Sequence, residues 1–431
     1  MIADEDRPAR FLWLPPGARP PHPVPRRQEM VFLLVGMTIV FSGYDLNVFG
    51  MALPQIQREL HIPENMAGVT IGYFRLAALA ALFVAPLADI VGRRRLLLFT
   101  VFGEAAMTLA TAFVQDYQQL VVVQIFARIF GYSEEMLCFV VVAEEIDARV
   151  RGWSTGTLGA LYAFGAGMAS VVFGAVNYLP YGWRSLYAIG GGGLLVLAYY
   201  RRWLPETRRF EIHRAERTVV ESRLIAFFRT AAKIFREYPR RLVALLMFAA
   251  AFGFTTGPSS VLLSKFLQTT HHYTPGQVTA LFVVGGVLTL IGNVAVGRLS
   301  DGFGRKRALF VATFIAGAGF ALFYSGIGGW ILPALWVMAL FGFLSSDALA
   351  AGYASEIFPT AYRATATTLR YVFNILGGAL ALALEGMFYD WFHAHGPAIM
   401  LTTAALPIAL VAILFLPETA QRTLEDISNP G

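Results

Sequence analysis

The sequence predicts an all-α membrane protein, with twelve transmembrane helices in two pseudo-symmetric six-helix bundles. Three observations predict it. The first is composition: of 431 residues, 56% are hydrophobic and only 14% charged, with a mean hydropathy of +0.58. An ordinary soluble domain carries about 25% charged residues, so a soluble enzyme, a disordered chain and a nucleic-acid binder are excluded. The second is a succession of apolar stretches, each near the length of about 20 residues that a bilayer requires. The third is an internal repeat at one fixed offset. A single cysteine, Cys138, excludes a disulfide framework and any cysteine-based zinc site.

The spans fall, in order, at 30–51, 66–88, 96–114, 119–143, 153–177 and 184–204, then at 241–264, 276–299, 308–326, 330–354, 364–386 and 397–416. Glycine is frequent inside them, as expected where helices pack closely in lipid. Residues 1–29 hold seven prolines and five arginines without an apolar run, which reads as a disordered cytoplasmic tail and not a cleavable signal. Residues 205–240 mix charges at helical spacing (Arg214, Glu216, Arg217, Glu221, Arg223) and read as an amphipathic cytoplasmic linker between the halves. Residues 417–431 form a cytoplasmic C-terminal tail. With the N-terminus inside, 28 of the 34 basic residues collect on the cytoplasmic side, which the positive-inside rule requires. The net charge of +6 is thereby explained without nucleic acid. The expected location is the cytoplasmic (inner) membrane, with both termini cytoplasmic.

The repeat is exact in spacing. Residues 86–95 read Pro-Leu-Ala-Asp-Ile-Val-Gly-Arg-Arg-Arg and residues 298–307 read Arg-Leu-Ser-Asp-Gly-Phe-Gly-Arg-Lys-Arg. An offset of 212 residues relates Asp89 to Asp301, Gly92 to Gly304 and Arg93 to Arg305. It also relates Glu144 to Glu356, Arg151 to Arg363, and Glu206 to Glu418. Four landmarks at one offset indicate duplicated halves related by an axis along the membrane normal, with substrate expected at their interface near mid-bilayer. Gly92 lets the chain turn sharply between spans 2 and 3. Asp89, Glu144 and Glu206 offer carboxylates to Arg93, Arg94, Arg95 and Arg151 at one membrane depth. Such pairs would latch the cytoplasmic ends in the outward-open state and part on inward opening. The alternative is topological, since arginines at helix ends stay cytoplasmic in any case.

These residues also carry a family resemblance. The D-x-x-G-R-R/K-R motif between spans 2 and 3, repeated between spans 8 and 9, resembles the signature of the major facilitator superfamily. The Glu…Arg-Gly pattern after span 4 and the Pro-Glu-Thr after spans 6 and 12 are similar to its sugar-porter and organic-acid:proton symporter branches. Gly43-Tyr44-Asp45 followed by Ala52-Leu53-Pro54 resembles the first span of the aromatic-acid and metabolite:proton symporters. One departure is Ala85 where the motif opens with glycine. The resemblance implies the major facilitator fold and secondary active transport by alternating access.

Ionisable residues inside spans cost roughly 2.5–3.5 kcal/mol each to insert and usually line a cavity. Asp45 lies in span 1, Arg75 in span 2, and Arg128 and Glu135 in span 4. Glu135 follows Arg128 by seven residues, which returns it to the same helical face. Its repeat partner is Asp347 in span 10, whereas Arg128 and Arg75 have Leu340 and Val287 as counterparts. Arg370 and Asn374 follow in span 11; Arg370 is close enough to the end to snorkel. A guanidinium binds a carboxylate through a planar fork, so three intramembrane arginines favour an anionic substrate. Alternatively, Arg75 neutralises Asp45 and Arg128 neutralises Glu135. Tyr44 and the other intramembrane aromatics (Tyr132, Tyr162, Phe254, Tyr353, Tyr371, Phe373) could stack on a ring or simply pack. Glu104 reads as structural, and Glu134 points about 100° from Glu135 without an assigned role. His271-His272 and His393-x-His395 fall in outer loops and make poor metal sites.

The expected function is therefore proton-coupled uptake of a small organic acid, aromatic acids included. A sugar or polyol porter and a drug:proton exporter are the alternatives, the former weakened by the scarcity of Asn and Gln in the spans. A sensor would need a larger soluble domain than the tails and linker provide. No catalytic set appears. The sequence calls for no cofactor beyond the coupling proton, membrane lipid and a small molecule as partners, and function as a monomer.

Overall fold

The computed structural model describes residues 11–15, 19–201, 223–359 and 361–419. Among these residues the secondary structure is helical, without strands. Each of the twelve expected spans lands on a helix or on a broken pair. They are α1 (Arg26–Glu59), α2 (Met66–Ala81) with α3 (Val84–Val91), α4 (Arg93–Thr111), α5 (Tyr117–Glu145), α6 (Arg151–Gly174) and α7 (Trp183–Arg201). After the connecting helix α8 (Arg223–Glu237) come α9 (Pro239–Val261) with the short α10 (Leu263–Thr269), and α11 (Pro275–Phe303). The last are α12 (Arg305–Tyr324), α13 (Leu332–Glu356), α14 (Arg363–Phe392), and α15 (His395–Thr402) with α16 (Leu406–Leu414). Among the described residues, seven segments are long and apolar enough to cross a membrane.

Local chemistry sets the breaks. Asp116 caps α5 by accepting from the Gln119 amide at 2.8 Å, and Thr274 with Gln277 forms a reciprocal capping box ahead of Pro275 on α11. Gly92 and Gly304 hold φ of 105° and 106° between α3 and α4 and between α11 and α12. That left-handed region suits glycine, and its recurrence at the 212-residue offset shows the repeat in the backbone.

The chain packs as two compact units: residues 1–55 with 77–220, and residues 56–76 with 221–431. The expected partition, 30–204 against 241–416, follows the linker; the packing partition instead gives the end of α1 and most of α2 to the second unit. The reason is local. Gly68 of α2 lies against the Leu382 carbonyl and the Glu385 carboxylate of α14, and Gly386 lies against the Asn65 carbonyl.

The core of the first unit holds Phe32, Val35, Ile39, Leu97, Val101, Leu137 and Val141. Gly165 admits the Val40 carbonyl and Gly43 the Tyr162 carbonyl, so α1 and α6 cross backbone to backbone, as glycine allows in lipid. In the second unit Gly377 meets the Ala250 carbonyl and Gly253 that of Asn374, joining α9 to α14. Large apolar side chains on the outside, such as Phe99, Phe102, Leu380 and Phe415, fit a lipid-facing surface.

One segment departs from expectation. The N-terminal segment is not wholly a disordered tail: Phe11 is 1% exposed, and its ring packs edge-on to Trp153 at 5.4 Å and beside Phe32 at 6.2 Å. Aromatic rings bury enough area to dock a short segment without secondary structure. The linker's second part is the amphipathic α8, anchored by Ile234, by Glu237 accepting from the Tyr362 hydroxyl at 2.7 Å, and by Lys233 over the Tyr362 ring. Its first part lies outside the described residues, as does 420–431 of the C-terminal tail.

Candidate functional site

In the first unit, α1, α4, α5 and α7 bring a group of charged side chains into the core. Asp45 on α1 is 1% exposed, Arg128 on α5 is 3%, and Glu104 on α4 and Glu134 on α5 are fully buried. The Thr108 hydroxyl donates to Asp45 Oδ1 at 2.9 Å. Arg128 Nη2 donates to Gln124 Oε1 at 3.3 Å, and Gln124 Nε2 donates to Thr111 Oγ1 at 3.0 Å. Gln124 and Arg128 are four residues apart, hence on one face of α5. Arg128 acts electrostatically on both Asp45 and Glu104. Glu104 is in hydrogen-bond contact with Glu134, and Gly131 leaves room for it, since a methyl group there would meet Glu104 Oε1 at 2.7 Å.

This arrangement overturns the alternative in which Arg75 neutralises Asp45 and Arg128 neutralises Glu135. Arg128 faces Asp45 and Glu104, not Glu135; among the described residues no ion pair engages Glu135. The Arg75 guanidinium sits against Gly257 of α9 and Gly378 of α14, in the second unit, whereas Asp45 is answered by Thr108 and Arg128. Gly257 is the repeat counterpart of Asp45, so the second unit has an arginine's head where the first carries a carboxylate. Glu104 and Glu134 were missed because helical periodicity tells which residues share a face but not which face meets α4. The only signal was that both are acids inside spans. Tyr44 is spoken for as well: its hydroxyl donates to the Leu186 carbonyl at 3.0 Å, which fixes α7 and leaves no hydroxyl proton for a substrate.

In the second unit Arg370, 5% exposed, donates to Asp347 Oδ1 at 3.0 Å. It joins α14 to α13, so the guanidinium is buried against a carboxylate and does not snorkel. Asn374 is half-buried on α14, one turn beyond Arg370. The Tyr353 hydroxyl is taken by the Pro417 carbonyl.

At the glycine turns the repeat produces the same ion pair twice. Arg93 grips Glu144 through two bonds, Nε to Oε2 at 3.1 Å and Nη2 to Oε1 at 3.0 Å. Its counterpart Arg305 pairs with Glu356. Glu418 Oε1 accepts from the Arg305 and Lys306 amides at 2.9 and 3.4 Å, and so caps the first turn of α12. Arg363 departs from the latch set, donating through Nε to the Phe358 carbonyl at 3.3 Å. Asp89, Asp301 and Arg151 lie on their helices with side chains outside the described set, and Glu206 is outside it altogether.

At the end of the second unit opposite Gly304 lies a cluster that sequence reasoning passed over. Lys265, fully buried, donates to Gln57 and Glu64. His395 Nε2 lies 3.1 Å from Glu64 Oε2 and its Nδ1 2.7 Å from Glu385 Oε1. His395 is therefore 7% exposed on an ion-paired ring, not a loop histidine. Burial holds the Lys265 ammonium below the usual lysine range, and hydrogen bonding from His395, reinforced by Lys265, holds Glu64 down at about 2. Among the described residues no group of three or more His, Cys, Asp or Glu is placed to hold a metal ion.

Paired helical units with charged residues buried in their membrane-length helices define a multi-pass membrane transporter. The pattern of the Major Facilitator Superfamily matches residues 35–346 and 243–431, and the chain belongs to that family. It is 26% identical over 402 residues to the cis,cis-muconate transport protein of Acinetobacter baylyi, covering 90% of this chain and 94% of that one. It is 24% identical to the 4-hydroxybenzoate transporter PcaK of Pseudomonas putida, covering 91% and 92%. Among solved structures, the inward-open xylose transporter XylE from E. coli is similar at a TM-score of 0.71 and 18% identity, covering 93% and 99%. The chain is thus a transporter and not an enzyme.

Proposed function

We propose that this protein imports a small organic acid, aromatic acids included, together with a proton. The observation that carries the reading is Arg128: a guanidinium buried in a transporter's helical core, balanced by Asp45 and steadied by Gln124. A carboxylate substrate can use the guanidinium's planar fork, while the buried carboxyl groups that Arg128 faces, once deprived of that cation, hold a proton more firmly. The loading of anion and proton is then linked, because a neighbouring cation favours the ionised carboxylate and its diversion favours the acid. Two relatives named for muconate and 4-hydroxybenzoate transport support the substrate class.

On this reading the protein works as a monomer in the inner membrane with both termini cytoplasmic, and the Asp89 and Asp301 motifs latch alternate conformations. No cofactor is required beyond the proton. Uptake by proteoliposomes of labelled cis,cis-muconate, 4-hydroxybenzoate, xylose and a lipophilic cation, with and without an inward proton gradient, tests it. Gradient-driven accumulation of an acid is expected. Accumulation of xylose alone would establish the porter reading, and proton-driven extrusion of the cation would establish the exporter.

A further inference from the structure

The first unit buries three carboxyl groups beside one guanidinium. Asp45 is provided for: Thr108 donates to it at 2.9 Å, and Arg128 supplies opposite charge. Glu104 is not. It is fully buried, and neither of its carboxyl oxygens accepts a hydrogen bond from any described donor. Its carboxyl lies against Gly131 of α5, one turn before Glu134, and the equally buried Glu134 carboxyl is within hydrogen-bonding reach of it. Two ionised carboxylates offer only acceptors to each other, and like charges in hydrogen-bond contact cannot both ionise in a low-dielectric core. A hydrogen on one of them converts the repulsion into a bond.

A second observation points the same way. The Tyr187 hydroxyl on α7 is fully buried without a described hydrogen-bond partner, and it lies within electrostatic reach of Asp45, Arg128 and Tyr44. Glu104 and Tyr187 thus leave buried hydrogen-bonding capacity that no described donor or acceptor answers. Asp45 from α1 and Arg128 from α5 act on Glu104, while Thr108 from α4 and Tyr187 from α7 lie around Asp45. Nor is the pair part of the duplicated scaffold. At the 212-residue offset stand Ala316 and Ser346, and Ser346 merely accepts from Thr313 at 3.3 Å.

We propose that Glu104 and Glu134 bind one proton between them, as a carboxylic acid hydrogen-bonded to a carboxylate, and that this pair carries the coupled proton. The proposal rests on the proton-coupled reading above and names a different seat for the proton. One proton is taken from outer water before substrate loads, is held while substrate is bound, and is returned to cytoplasmic water after substrate release; no other bond forms or breaks. An anion that draws Arg128 toward itself removes the one cation acting on Glu104, which strengthens the pair's hold on the proton. Protons then leave in macroscopic steps that belong to the pair and not to either residue.

Infrared spectroscopy of the reconstituted substrate-free protein, titrated in H2O and D2O, reads the pair directly. A protonated carboxyl band at neutral pH is expected in wild type and is lost in E104Q and in E134Q, because the glutamine amide supplies the donor the remaining carboxylate needs. The two variants back each other should one fail to fold. No band in wild type, or a band surviving both substitutions, overturns the pair as a proton site; loss only in D45N moves the proton to Asp45. Gradient-driven accumulation in proteoliposomes then reads coupling. Loss of accumulation in E104Q with counterflow persisting supports the proposal, whereas wild-type accumulation overturns the pair's role. If wild type itself ignores the gradient, proton coupling fails while the infrared band still decides whether the pair holds a proton.

Discussion

Arg128 heads a chain of two hydrogen bonds: its guanidinium donates to Gln124, which donates to Thr111, while Asp45 and Glu104 lie in its field. A lysine would keep the charge but lose the fork and the reach to Gln124. R128K should therefore weaken binding of the transported acid by about tenfold or more, the loss of roughly one charge-assisted hydrogen bond. Isothermal titration checks this, and unchanged affinity would confine Arg128 to neutralising its neighbours. Glu64 makes a prediction in pH. Its folded value is held at about 2 against an ordinary 4.5. A lowered carboxylate contributes stability that is full above its unfolded value and lost as pH falls through its folded one. The stability gap between wild type and E64Q should thus be constant above about pH 5, shrink below about pH 4.5 and vanish near pH 2. Thermal unfolding in graded acid measures it. Glu64 is about half exposed, with 48% of its side chain accessible, so the effect will be modest.

At the scale of elements, the two glycine turns carry the repeat's mechanical content. Gly304 sits at φ 106° between α11 and α12, and a methyl group there would stand 2.9 Å from Glu418 Oε2. G304A should cost roughly 1–3 kcal/mol from backbone strain, together with partial loss of the Glu418 cap on α12. A matching fall in thermal midpoint, and no comparable fall for G276A at the exposed start of α11, would confirm it. The N-terminal segment is an element in its own right despite having no helix. Its rings lock onto Phe32 and Trp153, which composition alone, dominated by proline and arginine, conceals.

For the whole molecule, the latch reading predicts that D89N slows the transport cycle far more than it weakens substrate binding, because it alters the end of a helix and leaves the buried charges alone. Stopped-flow exchange and equilibrium binding separate the two, and lost binding with unchanged exchange would overturn the latch. Coupling makes the complementary prediction. D45N should abolish gradient-driven accumulation yet preserve counterflow if Asp45 bears the proton, and E135Q should leave accumulation intact. Glu135 has no ion-pair partner among the described residues, so its neutralisation disturbs no pairing seen here.

The sequence by itself determined the helical membrane class, the order of the spans and the duplication. These depend on local quantities: apolar length, glycine and proline at turns, and residue spacing, each of which survives without knowing which helices touch. It also marked Asp45 and Arg128, since a charge in a membrane span is conspicuous wherever it packs. Only the tertiary structure decided the partners. Periodicity along one helix offers Glu135 as a partner for Arg128, yet Glu104 and Asp45 reach it from other helices. Glu134, one residue from the predicted acid, lies beside Glu104, for whose carboxyl Gly131 leaves room on that side of α5. Lys265, Glu64, Glu385 and His395 come from separate segments, as many as 331 residues apart between Glu64 and His395. The reason is physical: a buried charge must be answered by some group at hydrogen-bond distance, but which group answers depends on the rotation and approach of neighbouring helices, and helical spacing carries no record of either.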